Sequence, residues 1–305
     1  MDLKSHTFTQ RLDCRQIKSY LQQLAESQHY IHLIDLPFRI TSTWQERDCA
    51  CSVWKQNSQI IAWSIFQPPW RNLDYTITPE YNSFQLEVEI LEWGKTEIQK
   101  YAERINDTSY GYVELFEDAP QARQTIANLN ACGFRPASEN TLRFQKELTQ
   151  PLPQYQIPDG FSIRPLLESE TITYCRLVNK VFSPNSPEWM TYSWRTRLFQ
   201  HPGYINKLDL VAINSDNELV GFCSSWQWKN LGQIEPIGVH PDYRAMGLAS
   251  ALETTTMDLM QSQGISFLYV DHGSNNEKAI SLSSKNGFRH HKMILRFCLE
   301  CHPNL

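Results

Sequence analysis

The sequence predicts a two-copy α/β protein, each copy built on a central, mostly antiparallel mixed sheet flanked by helices. Three observations lead there. The second half alternates strand-like and helix-like hydrophobic patterns. Its landmarks also occur in the first half, in the same order and at nearly constant offset: Ile77-Thr78-Pro79-Glu80-Tyr81 anticipates Val239-His240-Pro241-Asp242-Tyr243, Gly133-Phe134-Arg135 anticipates Gly287-Phe288-Arg289, and Leu142-Arg143-Phe144 anticipates Leu295-Arg296-Phe297. Offsets that differ only by a loop's length mark a duplicated domain. Between the halves, Gln150 to Gly160 carries Pro151, Pro153 and Pro158, whose fixed φ and missing amide donors make an extended connector. The expected domains are therefore residues 1–150, a linker at 151–160, and residues 161–305.

In the second copy, Phe161 to Leu166 reads as a strand and the stretch through Phe182 as a helix. Asp209 to Ile213 and Leu219 to Trp228 are β-branched and aromatic runs joined by Asn214-Ser215-Asp216-Asn217, which predicts a hairpin. Gln233 to Val239 is a further strand, stopped by Pro241. Leu248, Leu252, Thr255 and Leu259 recur at helical spacing until Gly264 supplies a stop. Ile265 to Val270 returns as an apolar strand, Asn275 or Asn276 caps a helix ending before Gly287, and Leu295 to Leu299 closes the sheet. In the first copy, Asn57 to Phe66 and Thr96 to Ile105 read as strand and helix.

Composition narrows the partners. With 305 residues, 41% of them hydrophobic, the chain can fill more than one core. A net charge of -5, from 28 basic and 33 acidic side chains, gives no electrostatic footprint for nucleic acid or an anionic membrane. No stretch approaches the run of about 20 apolar residues that a membrane span needs, and the expected location is cytoplasmic. Eight cysteines are too dilute for a disulfide scaffold and read as small buried apolar groups. Cys298, Cys301 and His302 spell a haem-attachment spacing, which without an export signal reads as structural. His240, His272, His290 and His291 lack metal-ligand spacing, so no metal is expected.

The chemistry concentrates in Val239 to Ala249: a strand end, a turn and a helix start. Backbone amides converging at a helix N-terminus favour a diphosphate. Gly247 lets the main chain approach it, small Ala249 lets the helix pack behind, and Arg244 adds charge-assisted bonds. Here the sequence resembles the GNAT superfamily of N-acetyltransferases, whose motif, R or Q-x-x-G-x-G or A after V-x-P, matches Arg244, Gly247 and Ala249. A second family pattern, N-x-x-A-x-x-L-Y-x-x-x-G-F, matches Asn276, Ala279, Leu282, Gly287 and Phe288. The resemblance covers Phe161 to the end, and the repeat makes the chain look like a tandem GNAT protein of the kind that includes mycothiol synthase.

That resemblance implies acetyl-CoA as acyl donor, its pantetheine lying between splayed strands. Coenzyme contacts are then expected from Ile237, Gly238, Val239, Arg244, Ala245, Met246, Gly247, Leu248, Ala249 and Asn276. Glu235, on the strand entering the motif, is the expected base, or else a structural carboxylate; even spacing puts Glu235, Ile237 and Val239 on one strand face, so a bulge is needed to aim them separately. The family's usual general acid is a tyrosine, and Ser283 stands there, either bonding the coenzyme sulfur or lying on the helix surface, with His272 or Tyr269 as substitutes. Asn82 and Gln85 stand where Arg244 and Gly247 do, so the first copy is expected not to bind coenzyme but to pack or to wall the acceptor channel, with Trp63 to Tyr75 in that wall or in an inter-domain core. Ser183 to Tyr204 holds Trp189, Tyr192, Trp194, Arg195 and Arg197, expected either to recognise the acceptor or to be helix core and solvated face. The function implied is transfer of an acetyl group to a primary amine of a small molecule; the alternative is a non-catalytic acyl-CoA-binding or sensing protein.

Overall fold

The computed structural model describes residues 4–7, 30–43, 50–105, 110–149, 151–152, 155–182 and 189–300. Cys49, Cys301 and His302, and the start of the Ser183 to Tyr204 region, lie outside them. In chain order the strands are β1 (Lys4–Thr7), β2 (Ala50–Gln56), β3 (Gln59–Gln67), β4 (Asn72–Ile77), β5 (Tyr110–Phe116), β6 (Arg135–Pro136), β7 (Thr141–Glu147), β8 (Phe161–Pro165), β9 (Asp209–Asn214), β10 (Leu219–Trp228), β11 (Leu231–Val239), β12 (Phe267–Gly273) and β13 (Arg289–Glu300). The helices are α1 (Leu36–Thr43), α2 (Phe84–Ile105), α3 (Ala122–Ala131), α4 (Thr171–Phe182), α5 (Tyr192–Phe199), α6 (Leu248–Ser262) and α7 (Glu277–Lys285). Among the described residues no helix is long and apolar enough to cross a membrane.

Two compact units emerge, one of residues 1–33, 42–141 and 292–305, the other of residues 34–41 and 142–291. These are not the continuous halves read from the sequence. The segment holding most of α1 belongs to the second unit, and most of β13 to the first.

In the first unit β1 to β4 form an antiparallel meander. β4 then meets β5 in parallel at a single pair, Asn72 with Tyr112. β5 is flanked on its other side by β13, antiparallel from Ile294 opposite Phe116 to Glu300 opposite Tyr110. Helices α2 and α3 cover a core of Phe66, Leu73, Leu91, Ile98, Val113, Leu129, Phe134 and Phe297. Trp63 and Phe66, expected in a channel wall or a core, are buried.

The second unit's sheet runs β7-β12-β11-β10-β9-β8. The pairs from β8 to β11 are antiparallel, and β11 with β12 is parallel. The parallel pair follows from the connection, since α6 carries the chain back across the sheet between them. Val220, Cys223, Ile234, Leu248, Leu252, Met257, Met260, Leu268 and Phe288 form the core.

The last strand corrects the sequence reading. Leu295 to Leu299 does not complete the second copy's sheet; it lies on β5, and the place beside β12 is taken by β7, from the first copy's stretch of sequence. A strand's alternation fixes which face is buried but says nothing about which neighbour it hydrogen-bonds. Repeat-related strands carry similar patterns, so the exchange leaves both cores filled.

Candidate functional site

The site is built at the point where β11 leaves β12. Their register holds from Leu231 opposite Phe267 to Ile234 opposite Val270, and neither strand pairs the other beyond it, although β11 continues to Val239 and β12 to Gly273. A wedge opens there between two strands whose facing main-chain groups are free of each other. On its other edge β11 stays bound to β10, with Ile237, Gly238 and Val239 opposite Cys223, Phe222 and Gly221. Ile237 packs against the core and Val239 is within it. Gly238 is obligatory for packing, since a Cβ there would stand 2.5 Å from the Phe222 ring and 2.8 Å from Val181.

The bulge that the residue spacing requires is present. Between Cys223 and Ser225 of β10, the β11 partners step from Ile237 to Ile234, so Glu235 and Pro236 oppose Ser224 alone. The Glu235 carbonyl accepts a hydrogen bond of 2.6 Å from Trp226 Nε1. The Trp226 ring stacks on Phe38, at 5.7 Å between centroids, and Phe38 stacks on Trp194 at 4.9 Å. Glu235 itself is partly exposed. Thus an aromatic stack from α1, α5 and β10 braces the main chain that carries this carboxylate. Neither Trp226 nor Phe38 was singled out by sequence reasoning, because a stack between distant segments leaves no local periodicity.

After Val239 the chain makes a short 3-10 helix, Pro241–Tyr243, capped by His240, whose Nδ1 accepts from the Asp242 amide at 3.3 Å. His240 is therefore a capping residue. Ala245 and Gly247 then take left-handed conformations, φ 63° and 86°, before α6 begins at Leu248. Left-handed turns of this kind set successive N–H groups around a concavity. The amides of Ala245, Met246, Gly247, Leu248 and Ala249 have no acceptor among the described residues. Arg244 is exposed, and its Nε bonds back to the Val239 carbonyl at 3.2 Å, which holds the guanidinium beside these amides. Met246 is exposed as well, while Leu248 is buried and Ala249 packs on the core.

Asn276 is the N-cap of α7, its side-chain oxygen accepting from the Ala279 amide at 3.2 Å. The cap commits that oxygen and leaves the amide nitrogen toward solvent. Ser283 is neither on the helix surface nor in the wedge. Its side chain is fully buried, its hydroxyl donates to Glu253 at 2.8 Å, and His272 Nε2 lies 2.8 Å away. Asn286 Nδ2 bonds the other Glu253 oxygen at 2.6 Å, and Ser250, in the first turn of α6, donates to Asn286 at 2.6 Å. Burial raises the Glu253 carboxyl above its ordinary 4.5 and lowers the His272 imidazole below 6.5. A serine with no exposed surface offers no contact to a ligand, so the expected bond to the coenzyme sulfur has no counterpart here. Tyr269 is engaged elsewhere, its ring 5.7 Å from the Arg143 guanidinium, which clamps Asp271 through two bonds of 2.8 and 2.7 Å.

The expected acceptor region also changes. Arg195 is fully buried, ion-paired with Asp209 and 4.3 Å from the Tyr174 ring centroid, so it is held inside the unit and not offered to an acceptor. Arg197 donates to the Thr41 carbonyl at 3.0 Å. Trp194 is buried, and Tyr192 is 58% exposed.

The first unit repeats the 3-10 helix, as Pro79–Tyr81, but not the left-handed turn after it. Only Asn82 and Ser83 separate it from α2, with no left-handed residue, whereas four residues separate Tyr243 from α6. Gln85 consequently lies inside α2, so the cradle is lost through a shorter loop and not through a glutamine side chain filling it. Where β4 and β5 part, a cavity of about 120 Å³ is lined by three carboxylates, Asp74, Glu87 and Glu114, with no lysine or arginine among its described lining residues. Such walls repel a diphosphate.

Comparison with known proteins agrees with this arrangement. The chain spans about half the length of the curated relatives it matches. Mycothiol acetyltransferase of Paenarthrobacter aurescens is 27% identical over 170 residues, 51% of each chain. The Streptomyces coelicolor mycothiol acetyltransferase is 25% identical over 158 residues, 49% of each. A tandem GNAT protein from the clavulanic acid biosynthesis pathway superposes over 100% of both chains with a TM-score of 0.66 at 12% identity, a likeness of fold. The model of the acetyltransferase (GNAT) family matches residues 174–288, which take in β11, the left-handed turn, α6, β12 and α7. The protein has a tandem GNAT fold, and a segment of its second unit is similar to the GNAT acetyltransferase family.

Proposed function

We propose that the protein is an acyltransferase that moves an acetyl group from acetyl-CoA to a primary amine of a small molecule, and that the second unit does the work. One observation carries this reading: a run of amides, Ala245 to Ala249, with no well-aligned acceptor among the described residues, next to the wedge between β11 and β12. The amides and Arg244 hold the linked phosphates, and pantetheine lies along the free edge of Ile237 to Val239. The thioester then lies toward the Glu235 bulge. Glu235 takes a proton from the amine, directly or through water, and a main-chain amide near Val239 steadies the developing oxyanion. With Ser283 buried, coenzyme A thiol departs as its anion. The Paenarthrobacter and Streptomyces relatives, named mycothiol acetyltransferases, support the small-molecule class of acceptor.

The engaged hydroxyl of Ser283 favours a second reading, a non-catalytic acyl-CoA sensor. Calorimetric titration with acetyl-CoA and thiol release across a panel of amines separate the two. Arg244→Glu is expected to weaken acetyl-CoA binding by more than about tenfold, since it replaces a charge-assisted bond with repulsion; unchanged affinity would refute the cradle. Turnover that Glu235→Gln abolishes supports the enzyme, whereas tight binding with no turnover on any amine supports the sensor.

A further inference from the structure

We propose that Tyr155, in the proline-rich connector, is a coenzyme-binding residue whose hydroxyl turns to a diphosphate oxygen when the coenzyme is seated. The inference rests on the functional reading above and adds to it a residue outside both family motifs.

The Tyr155 hydroxyl lies against the Cα face of Gly247. A Cβ built on that glycine would stand 2.4 Å from the phenolic oxygen and 3.6 Å from Pro158 Cγ. Gly247 is thus required twice, once by its positive φ and once by the approach of the connector. The hydroxyl donates to the Gly247 carbonyl at 3.0 Å. That carbonyl already accepts the Ala251 amide at 3.0 Å as the first intrahelical bond of α6. The phenol's bond is therefore redundant for the acceptor, and turning the O–H away leaves no buried group unsatisfied.

A better acceptor has its place next door. The Gly247 amide and its neighbours from Ala245 to Ala249 face no acceptor among the described residues, so an anion held by them lies beside the phenol. Exchanging a neutral carbonyl for a phosphate oxygen replaces an ordinary hydrogen bond with a charge-assisted one, roughly twice as strong. Tyr155 remains 42% exposed, so its ring is not fixed by a core, and the Pro158 ring, whose closure fixes φ, sits beside Gly247. The tyrosine is thereby presented to the turn and retains freedom to rotate its hydroxyl.

The test is Tyr155→Phe, which removes one oxygen from an exposed side chain. Binding of acetyl-CoA and of S-acetylpantetheine, which lacks the phosphates, is titrated for both proteins, with the melting temperature as a folding control. The expected result is a loss of roughly tenfold in acetyl-CoA affinity, as for one charge-assisted bond, with S-acetylpantetheine binding and melting temperature unaltered. Equal acetyl-CoA affinity, a parallel loss on both thioesters, or tighter acetyl-CoA binding by the phenylalanine variant would each overturn the proposal. Failure of the parent protein itself to bind acetyl-CoA would sink the functional reading instead.

Discussion

At the scale of single residues, the second unit buries a polar network around Glu253. Glu253 has no exposed surface, and its two oxygens are held by Ser283 and Asn286. Burial raises its pKa, so folding favours the protonated form relative to the unfolded chain. This group's contribution to stability is therefore fully present below the unfolded value near 4.5 and is lost as pH rises through the raised folded value. Glu253→Gln keeps the shape and an acceptor for Asn286 and removes the ionisation; its amide nitrogen faces Ser283, whose own hydroxyl then turns to His272 Nε2. The melting-temperature difference between Glu253→Gln and the parent is expected to move in the variant's favour as pH climbs from 4.5 toward 8. A difference that stays flat over that range would show the carboxyl to be ionised without penalty. Little of this network was legible in the sequence. Ser283 was identified by its place in a family pattern, but the partner that captures it sits on another helix, and no periodicity links position 253 to position 283.

Among elements, the bulge in β11 shows how far pattern reading reaches. The even spacing of Glu235, Ile237 and Val239 shows that a regular strand would aim all three one way, and therefore that a bulge is needed. It does not show what holds the bulge open. The structure supplies Trp226, whose Nε1 bonds the Glu235 carbonyl from the neighbouring strand. Trp226→Phe keeps much of the stack on Phe38 and removes that bond. Expected is a lower kcat on a responsive amine with acetyl-CoA affinity unchanged, because the carboxylate is misdirected while the cradle is untouched. Equal losses in both would indicate that the whole wedge had collapsed. The turn before α6 was more legible, since Gly247 announces a left-handed position. Ala245 at φ 63° was not, because an alanine gives no sign of a conformation it rarely adopts.

For the molecule as a whole, the repeat was readable and the division into units was not. Proline spacing marks the connector, and repeated landmarks mark two copies, but strand exchange is invisible to both signals. A fragment of residues 161–305, the domain suggested by the sequence, lacks β7 beside β12 and with it the Arg143–Asp271 ion pair. It also exposes the part of β13 that pairs with β5. The expected outcome on expression is an aggregating chain, given an unpaired edge on β12 and an apolar strand without its neighbour. A monomeric fragment with a cooperative thermal transition would contradict the exchange.

The exchange also sets an order of events at the ribosome. Every segment of the second unit has been synthesised once residue 291 is made, whereas the first unit waits for residues 292–300 before β5 gains its outer neighbour. The usual rule that the earlier-made domain folds first therefore does not hold for this first unit. Until its last strand arrives, β5 presents an open edge along the length that β13 later covers.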